Sequence, residues 1–317
     1  MESRRSFLKK ALLTAISLFL LNKCSTVKKK VKMKSKDPKL ALVTWFSQTG
    51  HTERIGKIIA HKFEQSGIKV ISGDVRGIDK KSLENYELIV MGSPVYYYEM
   101  PVFLKDWIKG ISKIEGVPVF SYTTFGGTGH NQHNTACDIL ELLSDKGGLP
   151  VGSQTFGNMS TFAPTWSTGR IERILKYKHL PNKKTFNKAG SFASKMLENI
   201  KKERVIKIDH EFSIFNILEV LGTAWWTKKV LLKKHSIDKN KCIKCGLCVR
   251  KCPGNAIDLA KYSVSNSKCQ VCFGCVNLCP ENAHDMVFMG DRVYGFKEFL
   301  KKYKIKIQEP GELGNKT

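Results

Sequence analysis

A doubly wound, parallel α/β sheet followed by a small α+β domain built around cysteine clusters is the fold class this sequence predicts. Two observations carry it. Residues 39–204 alternate apolar strand patterns with amphipathic helix patterns, as in a parallel sheet covered on both faces. Eight of the ten cysteines then fall between residues 242 and 279, in two runs of identical spacing. The runs are Cys242, Cys245, Cys248, Cys252, Pro253 and Cys269, Cys272, Cys275, Cys279, Pro280.

The chain opens Ser3-Arg4-Arg5-Ser6-Phe7-Leu8-Lys9, which matches the twin-arginine export signal. An apolar run from Ala11 to Leu21 follows, broken by Thr14 and Ser17, and is short for a bilayer span. The signal implies export of a folded, cofactor-loaded protein to the periplasm or the outer face of the cytoplasmic membrane. Cys24 ends the run where a lipoprotein cysteine would sit, but Asn22 and Lys23 precede it. Cleavage, lipidation and retention as an anchor all stay open. Residues 1–38 read as signal and basic tether, with residues 23–39 solvated and disordered.

Leu40 to Phe46 is a nearly continuous apolar run, as expected of a strand buried on both faces. Ile55, Ile58, Ile59 and Phe63 recur at helical spacing, and Gly67 can end that helix. Further strands are expected at 68–72, 87–92, 117–122 and 150–156, and helices at 101–110, 132–146 and 188–203. The chemistry sits at strand ends. The first strand runs into Ser47, Gln48, Thr49, Gly50, His51 and Thr52 as a helix begins, and N–H groups and hydroxyls there cradle an anion. It is not a Walker loop, and no G-x-G-x-x-G follows a strand. The third strand runs into Pro94, Val95, Tyr96 and Tyr97, and the fourth into Thr124, Phe125, Gly126 and Gly127. His51 is expected as an exposed first-turn residue, Tyr98 as structural, and Cys137 as a small buried helix residue. His130 and His133 follow the third loop.

These three loops resemble those of flavodoxins, whose phosphate loop reads [ST]-x-T-G-x-T. The resemblance implies FMN as cofactor, its phosphate on residues 47–52 and its ring between the other two loops. Tyr96 and Tyr97 are the stacking candidates, and the implied strand order is 2-1-3-4-5.

Residues 235–290 repeat with period 27: Lys241 maps to Lys268, Pro253 to Pro280, Asn255 to Asn282, Ala256 to Ala283, and Asp258 to Asp285. Each run reads C-x2-C-x2-C-x3-C-P, an iron–sulfur spacing rather than a zinc one. It resembles bacterial two-cluster ferredoxins, which implies two 4Fe–4S clusters with crossed ligation. One cluster would take Cys242, Cys245, Cys248 and Cys279; the other would take Cys269, Cys272, Cys275 and Cys252. Ile243, Val249, Ile257, Val271, Phe273 and Val276 are the expected shield for the sulfurs.

Between the halves, residues 159–187 with Trp166 read as an irregular loop, a lid or a partner surface. Residues 205–234 form an apolar connector ending Trp225-Trp226-Thr227-Lys228-Lys229. That connector suits either a helix packed between domains or a membrane surface, and Glu219 and Gly222 argue against a transmembrane span. Residues 291–317 are left as a tail.

The net charge of +25 points to acidic redox partners and anionic lipid, and no nucleic-acid module accompanies it. The whole order resembles the bacterial ferrodoxin family, which fuses a flavodoxin-like domain to a two-cluster ferredoxin. The resemblance implies an electron-transfer flavo-iron–sulfur protein with no catalytic side chain of its own. An FMN-dependent reductase of a small substrate and an envelope redox sensor are the alternatives.

Overall fold

Side-chain alternation along the first strand decides how the sheet is covered. In this computed structural model, which describes residues 31–127, 131–211 and 232–313, β1 is Leu40–Trp45. Ala41, Val43 and Trp45 enter one apolar core, while Leu42 and the following Phe46 enter another. Next come α1 (His51–Gln65), β2 (Lys69–Asp74), β3 (Leu88–Pro94), α2 (Val102–Lys109), β4 (Pro118–Gly126), α3 (Gln132–Ser144) and β5 (Leu149–Asn158). All five strands are parallel, as the sequence pattern predicts, in the order β2-β1-β3-β4-β5 that the flavodoxin resemblance implies. Two short helices, α4 (Ala163–Ser167) and α5 (Glu172–Leu175), precede the long α6 (Lys183–Lys201). Helix α6 begins earlier than its apolar periodicity suggests, because Asn182 and Thr185 form a capping box. Helices α1 and α6 cover one face through Phe63, Phe192 and Met196; α2 and α3 cover the other through Leu104, Trp107 and Leu140.

Tyr122 on β4 lies across Gly92, where a Cβ would stand 2.1 Å from the ring carbon Cζ. Its hydroxyl donates to the Thr52 carbonyl at 3.0 Å, fixing the start of α1 from beneath. Packing against the sheet extends upstream of β1: Met33 is buried in the core, and the Lys34 N–H donates to the Gly116 carbonyl. The expectation of a disordered tether therefore fails for residues 33–39, where one apolar side chain found a place in the core. The twin-arginine motif, Cys24, His130 and the Trp225-Trp226 segment lie outside the described residues. Beyond α6, residues 204–211 run back over β5 and α3, with the Ile206 N–H on the Pro150 carbonyl and Asn134 bonded to Glu211.

The cluster domain contains β6 (Leu232–Ile237), α7 (Leu247–Lys251), β7 (Ile257–Asp258), β8 (Ser263–Val264), α8 (Gly274–Leu278), β9 (His284–Phe288), β10 (Asp291–Val293) and α9 (Phe296–Lys302). Its antiparallel sheet has the order β10-β9-β6-β8-β7. The sequence repeat is also a backbone repeat. Left-handed residues recur in equivalent pairs: Lys244 and Val271, Gly246 and Phe273, Asn255 and Asn282, Tyr262 and Met289. Strand β10 and helix α9 share the domain's core, so its packing runs past residue 290. No helix among the described residues is long and apolar enough to cross a membrane.

Helix α4 is pinned to α9. The Trp166 ring stacks on Phe299 at 4.7 Å between centroids, and its Nε1–H donates to the Tyr294 carbonyl at 3.0 Å. Trp166→Ala should destabilise the protein by about 3 kcal/mol in denaturant unfolding, the usual loss for a buried tryptophan. An unchanged unfolding midpoint would show that this contact carries no packing energy.

Candidate functional site

The carboxyl ends of β1, β3 and β4 open into one cavity of about 820 Å³. Ligands of doubly wound sheets bind at such an edge. Every residue assigned to the cofactor from sequence lines it except Gly50, which instead caps α1 at φ +89°. The Thr52 and Thr124 hydroxyls lie 2.8 Å apart and tie the first loop to the third.

His51 departs from expectation: it is only 6% exposed, because α9 of the cluster domain covers it and the Phe296 ring lies 6.1 Å away. Neither of its ring nitrogens has a partner among the described residues. Burial, aided by the Arg54 charge, pushes its pKa down to about 3. Asn131 Oδ1, Gln132 Oε1 and Asn158 Oδ1 are also buried without a partner, and all three residues line the same cavity. Orphaned polar atoms are few in native proteins, so this concentration marks the seat of a polar ligand. FMN fits that lining. His51 and the hydroxyls of Ser47 and Thr49 suit a phosphate at the start of α1, and the amide side chains suit the polar edge of a ring. Sequence reasoning missed Asn131, Gln132 and Asn158. Asn158 was within reach of it, since it ends the strand beside β4.

Residues from 159–177 form one wall of the cavity. Met159, Phe162, Thr168, Arg170 and Arg173 all line it, so of the three readings offered by sequence, the geometry matches a lid. Gly126 admits the lid, since a Cβ there would lie 2.3 Å from the Ser160 Cα. Tyr96 and Tyr97 line the cavity with their hydroxyls turned to partners: Tyr96 donates to Gln48 Oε1 at 3.1 Å, and Tyr97 to the Val271 carbonyl at 2.7 Å. Tyr97 and Tyr98 adopt φ of +49° and +67°, a strained region for side chains of this size. Cys137 is buried on α3, as expected, and its sulfur lies 3.5 Å from His133 Nε2.

The cysteines gather in two pockets, one lined by Cys242, Cys245, Cys248 and Cys279, the other by Cys252, Cys269, Cys272 and Cys275. That grouping is the crossed one. Equivalent amides serve the two crossing sulfurs: the Ala256 N–H donates to Cys252 and the Ala283 N–H to Cys279, both at 3.3 Å. An all-sulfur donor set suits iron–sulfur chemistry. Burial pushes the Cys272 thiol up to about 11, so metal loading there displaces a firmly held proton. The shielding expectation holds for Val271, Phe273 and Val276, which are buried, but fails for Ile243 and Val249, which are 62% and 39% exposed. Among the described residues, the flavin-type lobe contributes Gln48 to the lining of the second pocket and nothing to that of the first.

Two contacts connect these sites. Gln48 Nε2 donates to Cys272 Sγ at 3.0 Å, and Cys272 and Phe273 themselves line the flavin-type cavity. Gly274 makes room for this, since a Cβ there would lie 2.5 Å from the Gln48 amide. Between the pockets stands a buried imidazole pair, His235 lining the second pocket and His284 the first, with Nε2 and Nδ1 3.3 Å apart. His284 replaces the Ile257 of the first repeat.

A doubly wound sheet with a polar cavity at its carboxyl edge, joined to two cysteine cages, defines a fusion of a flavodoxin-type domain with an iron–sulfur domain. The chain is 32% identical to the flavodoxin of Clostridium saccharobutylicum over 123 residues, which is 38% of this chain and 77% of that protein. It belongs to the flavodoxin family. Residues 235–258 match the 4Fe–4S binding domain family. The chain is also 36% identical over 73 residues to the FMN-dependent NADH:quinone oxidoreductase of Aeromonas salmonicida, covering 23% of this chain and 34% of that one. Among solved structures, oxidised Flavodoxin 1 from Bacillus cereus aligns with a TM-score of 0.40 at 15% identity, over 50% of this chain and 97% of that one.

His51 gives a pH signature in flavin-free protein. Its pKa is depressed from 6.5 to about 3, so the unfolded chain binds the extra proton and stability falls as pH drops below 6.5. His51→Gln should reduce the stability lost between about pH 7 and pH 5 by about 2 kcal/mol in urea unfolding. An identical loss in both proteins would mean that His51 is solvated.

Proposed function

We propose that this protein is an electron carrier in which bound FMN exchanges electrons with two 4Fe–4S clusters held by crossed ligation. The Gln48–Cys272 contact carries the proposal. One side chain belongs at once to the expected phosphate loop and to the wall of a cysteine cage. FMN exchanges one or two electrons and a 4Fe–4S cluster one, so a chain holding both can divide a two-electron event into single steps.

The chain's own groups supply binding and order. The helix start at His51 and the hydroxyls of Ser47 and Thr49 would hold the phosphate; Tyr96 ties the second loop to Gln48 and Tyr97 anchors it to the cluster domain; the lid covers one side of the cavity. Cys252, Cys269, Cys272 and Cys275 hold the cluster next to the flavin. Cys242, Cys245, Cys248 and Cys279 hold the cluster nearer the surface. The environments of the cages support that order, since Cys245 is exposed whereas Cys269 is buried. The net charge of +25 supports acidic redox proteins as partners, and the Arg4–Arg5 motif supports export by the twin-arginine route.

One observation favours a reductase as the second reading: Arg170, Arg173 and Lys176 of the lid line the flavin-type cavity, as a site for an anionic small substrate would need. Turnover of such a compound by holoprotein with no protein partner present would establish it.

Anaerobically isolated protein should contain FMN and about eight iron atoms per chain. Cys245→Ser and Cys279→Ser should remove the same electron paramagnetic resonance signal, and Cys252→Ser and Cys272→Ser the other. If Cys252→Ser instead removes the signal lost in Cys245→Ser, ligation is not crossed.

A further inference from the structure

The two cysteine repeats share one backbone but lie in opposite surroundings. In the second repeat, Val271, Cys272 and Phe273 press against the flavin lobe and lid: Tyr97 bonds the Val271 carbonyl, Gln48 bonds Cys272, and the Phe162 ring meets Phe273 edge-on at 5.1 Å. Among the described residues, the equivalents in the first repeat, Lys244, Cys245 and Gly246, carry no such cover, and Lys244 and Cys245 are exposed. The apolar residue at the same place on the short helix is 3% exposed as Val276 in the second repeat and 39% exposed as Val249 in the first. Ile243, 62% exposed, extends the bare apolar patch beside Cys245.

Charge separates the repeats in the same direction. Lys244 stands where the second repeat has Val271, Arg250 where it has Asn277, and Lys251 where it has Leu278. Lys244 lies 5.1 Å from the Tyr262 ring, and Arg250 donates to the Cys245 carbonyl at 3.1 Å, so local contacts hold these cations around the patch. An apolar centre with a charged rim is the make-up of a transient docking face.

We infer that the face formed by Ile243, Cys245 and Val249, with its rim of Lys244 and Arg250, is the port where an acidic one-electron protein docks. The inference rests on the electron-transfer reading above. The second repeat supplies the internal precedent: the same backbone surface, made neutral, is covered by the flavin lobe of its own chain. The first repeat keeps that surface bare and positive for a separate protein that brings carboxylates. Docking there places the partner against an exposed ligand of the outer cluster.

The test uses reduced holoprotein mixed in a stopped-flow instrument with a small acidic ferredoxin as acceptor, over a range of ionic strength. The wild-type rate constant should fall as salt rises. In the double variant Lys244→Glu, Arg250→Glu it should be about tenfold lower at low salt and nearly independent of salt. Ile243→Ser should slow the reaction while keeping the salt dependence. Lys195→Glu, exposed on α6, should leave the rate unchanged. Equal rates in wild type and the double variant would overturn the inference, and so would an equal loss in Lys195→Glu, which would indicate net charge alone.

Vesicles containing phosphatidylglycerol test the other occupant. Vesicle binding that depends on Lys244, with an unchanged rate toward the ferredoxin, would assign the face to membrane and overturn the inference. Redox titration of each variant separates docking from driving force: the slowing must persist where cluster potentials match the wild type. If the double variant fails to load its clusters, Lys244→Gln with Arg250→Gln takes its place, with a smaller loss in the same direction. Failure of the underlying reading looks different: wild-type protein would then lack flavin or reducible clusters, and no variant would react.

Discussion

The arrangement turns on the amide of Gln48. Its nitrogen donates to a cluster-type cysteine and its oxygen accepts from Tyr96, so one side chain closes a contact among the first flavin-type loop, the second loop and the second cysteine run. Such a contact between buried polar groups is worth only about 1 kcal/mol on its own. Its importance is geometric. It needs Gly274 at the facing position, a left-handed Phe273 to turn the chain there, and Cys272 bare enough on one side to meet the amide. Each feature is local, and together they put the wall of the cavity in direct contact with the inner cage. Distance controls electron transfer, and so the contact that sets the distance governs what the fusion of domains can do.

Much of this organisation was legible in the sequence because it follows from periodicity and spacing. Leu42 and Val43 belong to opposite cores, and the apolar run that contains them reads as a doubly buried strand without further help. The cysteine spacing implied cages, the 27-residue repeat gave their equivalent positions, and the resemblance to two-cluster ferredoxins implied the crossed grouping. What stayed hidden depends on one domain meeting the other. His51 reads as a first-turn surface residue until Phe296, far along the chain, covers it. Ile243 and Val249 read as shields for the same reason that Val271 and Val276 do; only the placement of the flavin lobe decides which repeat is covered. The lid was ambiguous because Trp166 finds its partners, Phe299 and Tyr294, in residues that read as a tail.

Near-symmetry with unequal surroundings is the thread that joins these points. Duplication supplies two cages of one geometry, down to matched left-handed residues and matched amide bonds to the crossing cysteines. Substitution at a few equivalent places then separates their roles. Neutral side chains face the flavin lobe from the second repeat, and cations face solvent from the first. Inside, His284 interrupts the apolar pattern where the first repeat has Ile257, and with His235 it sets a polar pair between the cages. On the proposed two-cluster reading, clusters in such different surroundings would differ in potential, since burial and hydrogen bonds to sulfur set it.

The most direct measurement is diffraction from anaerobically grown crystals at the iron absorption edge, with flavin density read from the same data. The expected result is iron in both cysteine cages, with flavin in the cavity bounded by Ser47, Tyr97 and Asn158 and its nearest cluster on Cys272. Zinc or an empty cage at Cys272, or a flavin seated away from the Gln48 loop, would contradict the account.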